Sequence, residues 1–116
     1  MTNKKYGRVG DSAIIGAGTY ANNKTCAVSC TGDGEYFMRM VAAYELSALM
    51  EHKSLSLEEA GKELIYGRMV DIGGDGGLIA MDTQGNYILP FNCTGMYRGV
   101  KMNNSIEKTG IYKKWL

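Results

Sequence analysis

The spacing of apolar residues changes period several times along this chain, and each change marks an element. Met1–Asp11 (MTNKKYGRVGD) is polar and broken by glycine, which predicts a loop. In Ser12–Asn23 a small apolar centre, Ile14-Ile15, gives way to Gly16, Gly18, Asn22 and Asn23, so the stretch reads as two short extended pieces. Thr25–Cys30 is uncharged and built of small, β-compatible residues, the pattern of a strand buried on both faces. Within Glu35–Glu51, Phe37, Met40, Val41, Tyr44, Ala48 and Leu49 recur at helical spacing and predict one long helix, with Arg39 and Glu45 off the stripe. A second helix is predicted over Ser54–Val70. Ser56 and Glu59 form a capping box at its start, and Leu57, Ala60, Leu64 and Tyr66 face inward. Gly61 and Gly67 weaken it.

Downstream the pattern shortens. Ile72–Gly77 is a glycine turn, and Leu78–Asp82 and Tyr87–Phe91 flank Thr83-Gln84-Gly85-Asn86 as the arms of a hairpin. Pro90 cannot donate to a ladder and belongs at a strand end or edge. Asn92–Lys101 holds another glycine-centred turn, and a loop-like tail from Met102 contains a last strand at Thr109–Lys113. Strands before and after a pair of helices predict a sheet with a helix layer, an α+β body.

Composition narrows the class. At 116 residues the chain makes one domain, large enough to bury a core. Lys+Arg 13 against Asp+Glu 12 gives no charge field for nucleic acid or an acidic membrane surface. Sixteen glycines with one proline indicate tight turns and close backbone approaches. No apolar run nears the ~20 residues of a membrane span, and Met1–Asp11 has no apolar h-region. Three cysteines do not make a disulfide framework: Cys26 and Cys30 would lie about 13 Å apart on a strand, too far to bridge. With no CxxC pair and no histidine nearby, Cys26, Cys30 and Cys93 do not read as a zinc site either. The expectation is a reduced, cytoplasmic protein. His52, the single histidine, falls at a helix end with no nucleophile motif beside it.

The candidate chemistry lies in Thr25–Glu35, TCAVSCTGDGE, where a strand meets Thr31-Gly32-Asp33-Gly34 and a helix follows. Outward-turned amides there can hold a carboxylate, a phosphate or an oxyanion; many α/β proteins turn this way and bind nothing. Arg8 and Asp11 flank Gly10. They can clamp an α-carboxylate and an α-ammonium, or form a surface ion pair worth about 0–1 kcal/mol. The Thr31 hydroxyl and the Gly32 N–H are adjacent donors, as an oxyanion hole requires; the alternative is that Thr31 caps the helix. Gly34 offers a free carbonyl or only room. Gly73–Gly77 lacks the trailing Gly-Lys-Ser/Thr of a phosphate loop and feeds a strand, so it reads as a turn.

Four segments follow in order: GRVGDSAIIGAGTYANN (Gly7–Asn23), AVSCTGDGE (Ala27–Glu35), GGDGGLIAMDTQGN (Gly73–Asn86) and LPFNCTGMYRG (Leu89–Gly99). Together they resemble the β subunit of the plant-type L-asparaginase/isoaspartyl peptidase family, a branch of the N-terminal-nucleophile hydrolases. The resemblance runs over nearly the whole chain. It implies part of a four-layer αββα sandwich, incomplete here, with residues 1–116 as a single domain forming the C-terminal most of the β subunit. It implies a precursor that cuts itself before a Thr, whose freed amine then acts as base for its own hydroxyl. By motif, Arg8 would hold the substrate α-carboxylate and Asp11 its ammonium, helped by the Gly34 backbone. Thr31 and Gly32 would form the oxyanion hole. The implied substrates are L-asparagine and β-aspartyl dipeptides, with no cofactor or metal. The implied partners are an α subunit and an N-terminal β segment in an (αβ)2 assembly, with no nucleic acid or membrane.

The chain departs from the family pattern in two respects. The family's nucleophile Thr, the strand it opens, a second active-site Thr and the α subunit would all precede the equivalent of Met1–Lys4. Cys93-Thr94 also replaces the Thr-Glu expected in the family's PFNTEGMYR segment. The expectation is a fragment that carries clamp and oxyanion hole, exposes an open sheet edge and is inactive alone. A noncatalytic truncated or split-gene interaction module is the alternative, and a phosphate or nucleotide binder using the Thr31–Gly34 corner is a third.

Overall fold

The computed structural model describes residues 6–7, 10–103 and 107–113. A 3-10 turn, Asp11–Ala13, leads to β1 (Thr19–Ala21) and β2 (Cys26–Gly32). Two helices follow, α1 (Gly34–Met40) and α2 (Ala42–His52). A continuous helical stretch then runs through α3 (Leu57–Lys62), a π-helical segment Glu63–Arg68 and α4 (Met69–Asp71). The chain closes with β3 (Gly76–Asp82), β4 (Tyr87–Ile88), β5 (Arg98–Lys101) and β6 (Glu107–Gly110).

β1 to β4 form one antiparallel sheet in the order β1-β2-β3-β4, and β5 pairs with β6 in a second, two-stranded sheet. The register Val28↔Ala80 and Cys30↔Leu78 puts these four side chains on one face. That face is buried against Phe37, Ala42, Ala43, Leu46, Leu49, Leu64, Ile65 and Met69 of the helix layer. A buried hydrogen bond of 2.6 Å between the Thr25 and Ser47 hydroxyls ties the start of β2 to α2. This is a mixed α/β domain in which the four-stranded sheet lies under one helix layer, with the β5–β6 pair as a separate small sheet.

Several expectations change. β2 is buried on one face only: Cys26, Val28 and Cys30 are covered, whereas Ala27, Ser29 and Thr31 are exposed. The predicted long helix is two helices, because Val41 adopts a left-handed conformation (φ 52°, ψ 50°) between them. This resets the helical phase. Val41 and Tyr44 are 45% and 43% exposed, Ala42, Ala43, Leu46 and Ser47 are buried in their place, and Leu49 is buried as expected. Downstream, the wider π turn buries Leu64 and Ile65 together and leaves Tyr66 exposed. The last strand is Glu107–Gly110 rather than Thr109–Lys113.

The Ser56–Glu59 capping box forms as expected, with Glu59 N–H donating to Ser56 Oγ and Ser56 N–H to Glu59 Oε1. Among the described residues no helix is long and apolar enough to cross a membrane, and no group of His, Cys, Asp and Glu is placed to hold a metal ion.

Candidate active site

The site is built where β2 ends. Thr31 and Gly32 are not a free turn: they extend β2 and pair with Gly77 and Gly76 of β3, and Asp33 alone links them to α1. Gly32 (φ 132°) and Gly76 (φ 143°) hold conformations that side chains disfavour. A Cβ on Gly32 would lie 2.5 Å from Gly76 Cα, and one on Gly76 would run into the Thr31 carbonyl and the Phe37 ring. The facing glycines therefore let the two backbones touch. Asp33 N–H donates to the Asp75 carbonyl at 3.1 Å and holds the link in place.

Thr31 is exposed on the open face of the sheet, and no hydrogen bond ties its hydroxyl to another described residue. It does not cap α1: the N-cap is Asp33, whose side chain makes no capping bond. α1 has only seven residues, so its dipole is too short to carry the anion-binding role that the predicted long helix suggested.

Asp11 packs against the start of α1. A Cβ built on Gly34 would lie 2.9 Å from both the Asp11 amide nitrogen and Oδ1, so Gly34 leaves the space that Asp11 occupies. Asp11 is 4% exposed. Its Oδ2 is buried without a hydrogen-bond partner among the described residues. Burial pushes the Asp11 carboxyl above its ordinary value of 3.8, against the pull of its own backbone N–H. A buried carboxylate short of a donor is stabilised by any ligand N–H that reaches it. Neighbouring Cys30 is pushed up to about 12, chiefly by burial and then by the Asp11 charge, so it offers no thiolate.

Arg8 lies outside the described residues. Of the other expected site residues, Asp11 and Gly34 are in contact, and Thr31 and Gly32 are the two residues that end β2.

Asn92 is the residue that periodicity passes over. Its Oδ1 accepts from Gly76 N–H at 2.8 Å, and its Nδ2 donates to the carbonyls of Ile65 (2.8 Å) and Gly74 (3.3 Å). Its backbone N–H donates to the Gly76 carbonyl at 2.9 Å. The only local signal is an amide residue between Phe91 and a glycine turn, too weak to single it out.

Comparison with known proteins follows the same lines. A family model described as Asparaginase matches residues 1–111. The chain is 53% identical over 114 residues to the isoaspartyl peptidases of Salmonella typhimurium and Escherichia coli, covering 98% of this chain and 36% of each relative. It is 54% identical over 121 residues to a putative isoaspartyl peptidase/L-asparaginase of Dictyostelium discoideum, covering 97% of this chain and 34% of that protein. The chain thus spans about a third of the length of these curated relatives.

Proposed function

This chain belongs to the asparaginase family, and we propose that its 116 residues supply the substrate clamp and oxyanion hole of an enzyme that hydrolyses β-aspartyl dipeptides and L-asparagine. The observation that carries this reading is the Asp11 carboxylate, buried against Gly34 with Oδ2 unpartnered among the described residues. A substrate α-ammonium fits that deficit. Arg8 takes the α-carboxylate through its planar guanidinium, and the Gly34 backbone assists with the ammonium. Thr31 Oγ and Gly32 N–H donate to the oxygen that gains charge as the side-chain amide is attacked. The attacking hydroxyl is that of an upstream Thr freed by self-cleavage, its own α-amine acting as base.

The architecture we propose is the four-layer αββα sandwich. The open face of the sheet supports it: Ile79 and Met81 are 48% and 51% exposed beside Ala27 and Ser29, and a groove of about 430 Å³ runs between this face and β5. A second sheet would cover these residues. Residues 1–116 then form one domain, most of the β subunit, which meets an α subunit in an (αβ)2 enzyme. Unpaired Cys26, Cys30 and Cys93 suit a reducing cytoplasm.

The test compares the 116 residues alone with a completed chain, in which the upstream part of the Salmonella relative precedes them. Both are purified from a host lacking its own asparaginases and assayed for aspartate release from β-Asp-Leu. The completed chain should release aspartate and the 116 residues none. Release by the 116 residues alone, or none by the completed chain, contradicts the proposal.

A further inference from the structure

We propose that Asn92 is the positioning residue of the oxyanion corner, an inference that rests on the assignment of Thr31 and Gly32 to that hole. β3 begins at Gly76, and there its backbone is held from two sides. On one side lies Gly32, so close that neither residue tolerates a Cβ. On the other lies Asn92, which accepts from the Gly76 N–H through Oδ1 and donates its own backbone N–H to the Gly76 carbonyl. The remaining Asn92 donors reach the Gly74 carbonyl, at the far end of the Gly74–Gly76 loop, and the Ile65 carbonyl, inside the π-helical turn. Asn92 therefore joins three elements: the widened helix, the loop before β3 and the segment after β4. The Asp33 N–H rests on the same loop, at Asp75.

Only an amide side chain meets this geometry. One atom must accept from an N–H while the other donates twice to carbonyls. Aspartate keeps the shape and the acceptor but turns both donor contacts into repulsion between oxygens. Loss of the Asn92 bonds frees Gly76, and with it the backbone against which Gly32 and Thr31 are set. A misplacement of about 1 Å at an oxyanion donor can lower the rate by about a hundredfold. Asp11 and Gly34 make no bond to Asn92 or Gly76 and reach this loop only through the Asp33–Asp75 bond, so substrate binding should change much less than the rate.

The test is steady-state kinetics of the completed chain on β-Asp-Leu, at a temperature well below the Tm of every variant. Asn92→Asp should lower kcat about tenfold to a hundredfold with KM within about twofold of the parent. Ser47→Ala breaks the buried Thr25–Ser47 bond away from the corner and should leave kcat unchanged. If Asn92→Asp does not fold, Asn92→Ala removes all three side-chain bonds without adding charge. Thr31→Val separates the two readings. If it lowers kcat while the Asn92 variants do not, the oxyanion assignment stands and the role of Asn92 is overturned. If Thr31→Val also leaves kcat intact, the assignment falls and this inference falls with it. An equal loss of kcat in Ser47→Ala and Asn92→Asp would reduce Asn92 to a general structural role.

Discussion

Leu78 and Ile79 are neighbours on β3, yet one is fully buried and the other is 48% exposed. The same contrast runs across the whole sheet. Val28, Cys30, Leu78 and Ala80 lie under the helices, while Ala27, Ser29, Ile79 and Met81 face away from them. Both faces are built of small or apolar residues, so composition does not tell them apart. The covered face fixes the fold of these residues, and the open face carries Thr31. The apolar character of Ile79 and Met81 on the open face is what the proposed second sheet would cover.

Leu78→Ala should destabilise the 116 residues by about 2–5 kcal/mol, the ordinary cost of truncating a buried aliphatic side chain. Ile79→Ala should change them by no more than about 0.5 kcal/mol. Denaturant melts of dilute protein measure both. In the completed chain the Ile79→Ala cost should rise toward that of Leu78→Ala, because a second sheet then covers it. An unchanged small cost there breaks the four-layer proposal. The isolated 116 residues should also self-associate through this face, with sedimentation falling back to a monomer in Ile79→Lys.

The contrast between faces was only half legible in the sequence. The strand, the capping box and the hairpin turn all carry local signals. Asp82, for example, accepts from Gln84 N–H, Asn86 N–H and Asn86 Nδ2 and closes the turn before Tyr87. Exposure of one face depends on what else packs there, which no local pattern encodes. The break at Val41 was also hidden, because a β-branched residue is a poor signal for a left-handed conformation. At the candidate site, Asp11 beside Gly10 and Thr31, Gly32 and Gly34 in one turn stood out as residue types in the sequence. Asn92 was not, because its partners Ile65, Gly74 and Gly76 come from distant parts of the chain.

The next effect in size concerns Asp11. Burial raises its carboxyl in the folded chain above the unfolded value. The folded form then holds the proton more tightly, so Asp11 destabilises the fold progressively as pH rises from its ordinary value of 3.8 through the raised, folded one. Asp11→Asn should therefore raise the Tm of the completed chain at pH 7 and leave it nearly unchanged at about pH 3. The same change should weaken L-aspartate binding about ten- to hundredfold, as expected for loss of one charged partner. A lower Tm at pH 7 with binding intact would make Asp11 a structural residue.

The smallest effect lies in the helix layer. Val41→Gly relieves a conformation that costs a branched side chain about 1–2 kcal/mol, against about 0.5–1 kcal/mol of added chain entropy. Thermal melts should show a slight gain in stability. A clear loss would mean that the packing lost with the Val41 side chain outweighs the strain.

In the proposed enzyme these residues divide the work between a clamp and an oxyanion hole. Steady-state kinetics of Arg8→Ala and Thr31→Val in the completed chain, on β-Asp-Leu, separate the two roles. Arg8→Ala should chiefly raise KM, by about ten- to hundredfold, as one charged hydrogen-bond partner is lost. Thr31→Val keeps the shape but removes a donor that acts in the transition state, and should chiefly lower kcat by about 10²–10³-fold. If Thr31→Val raises KM alone and leaves kcat intact, Thr31 is a binding residue and the oxyanion assignment is contradicted.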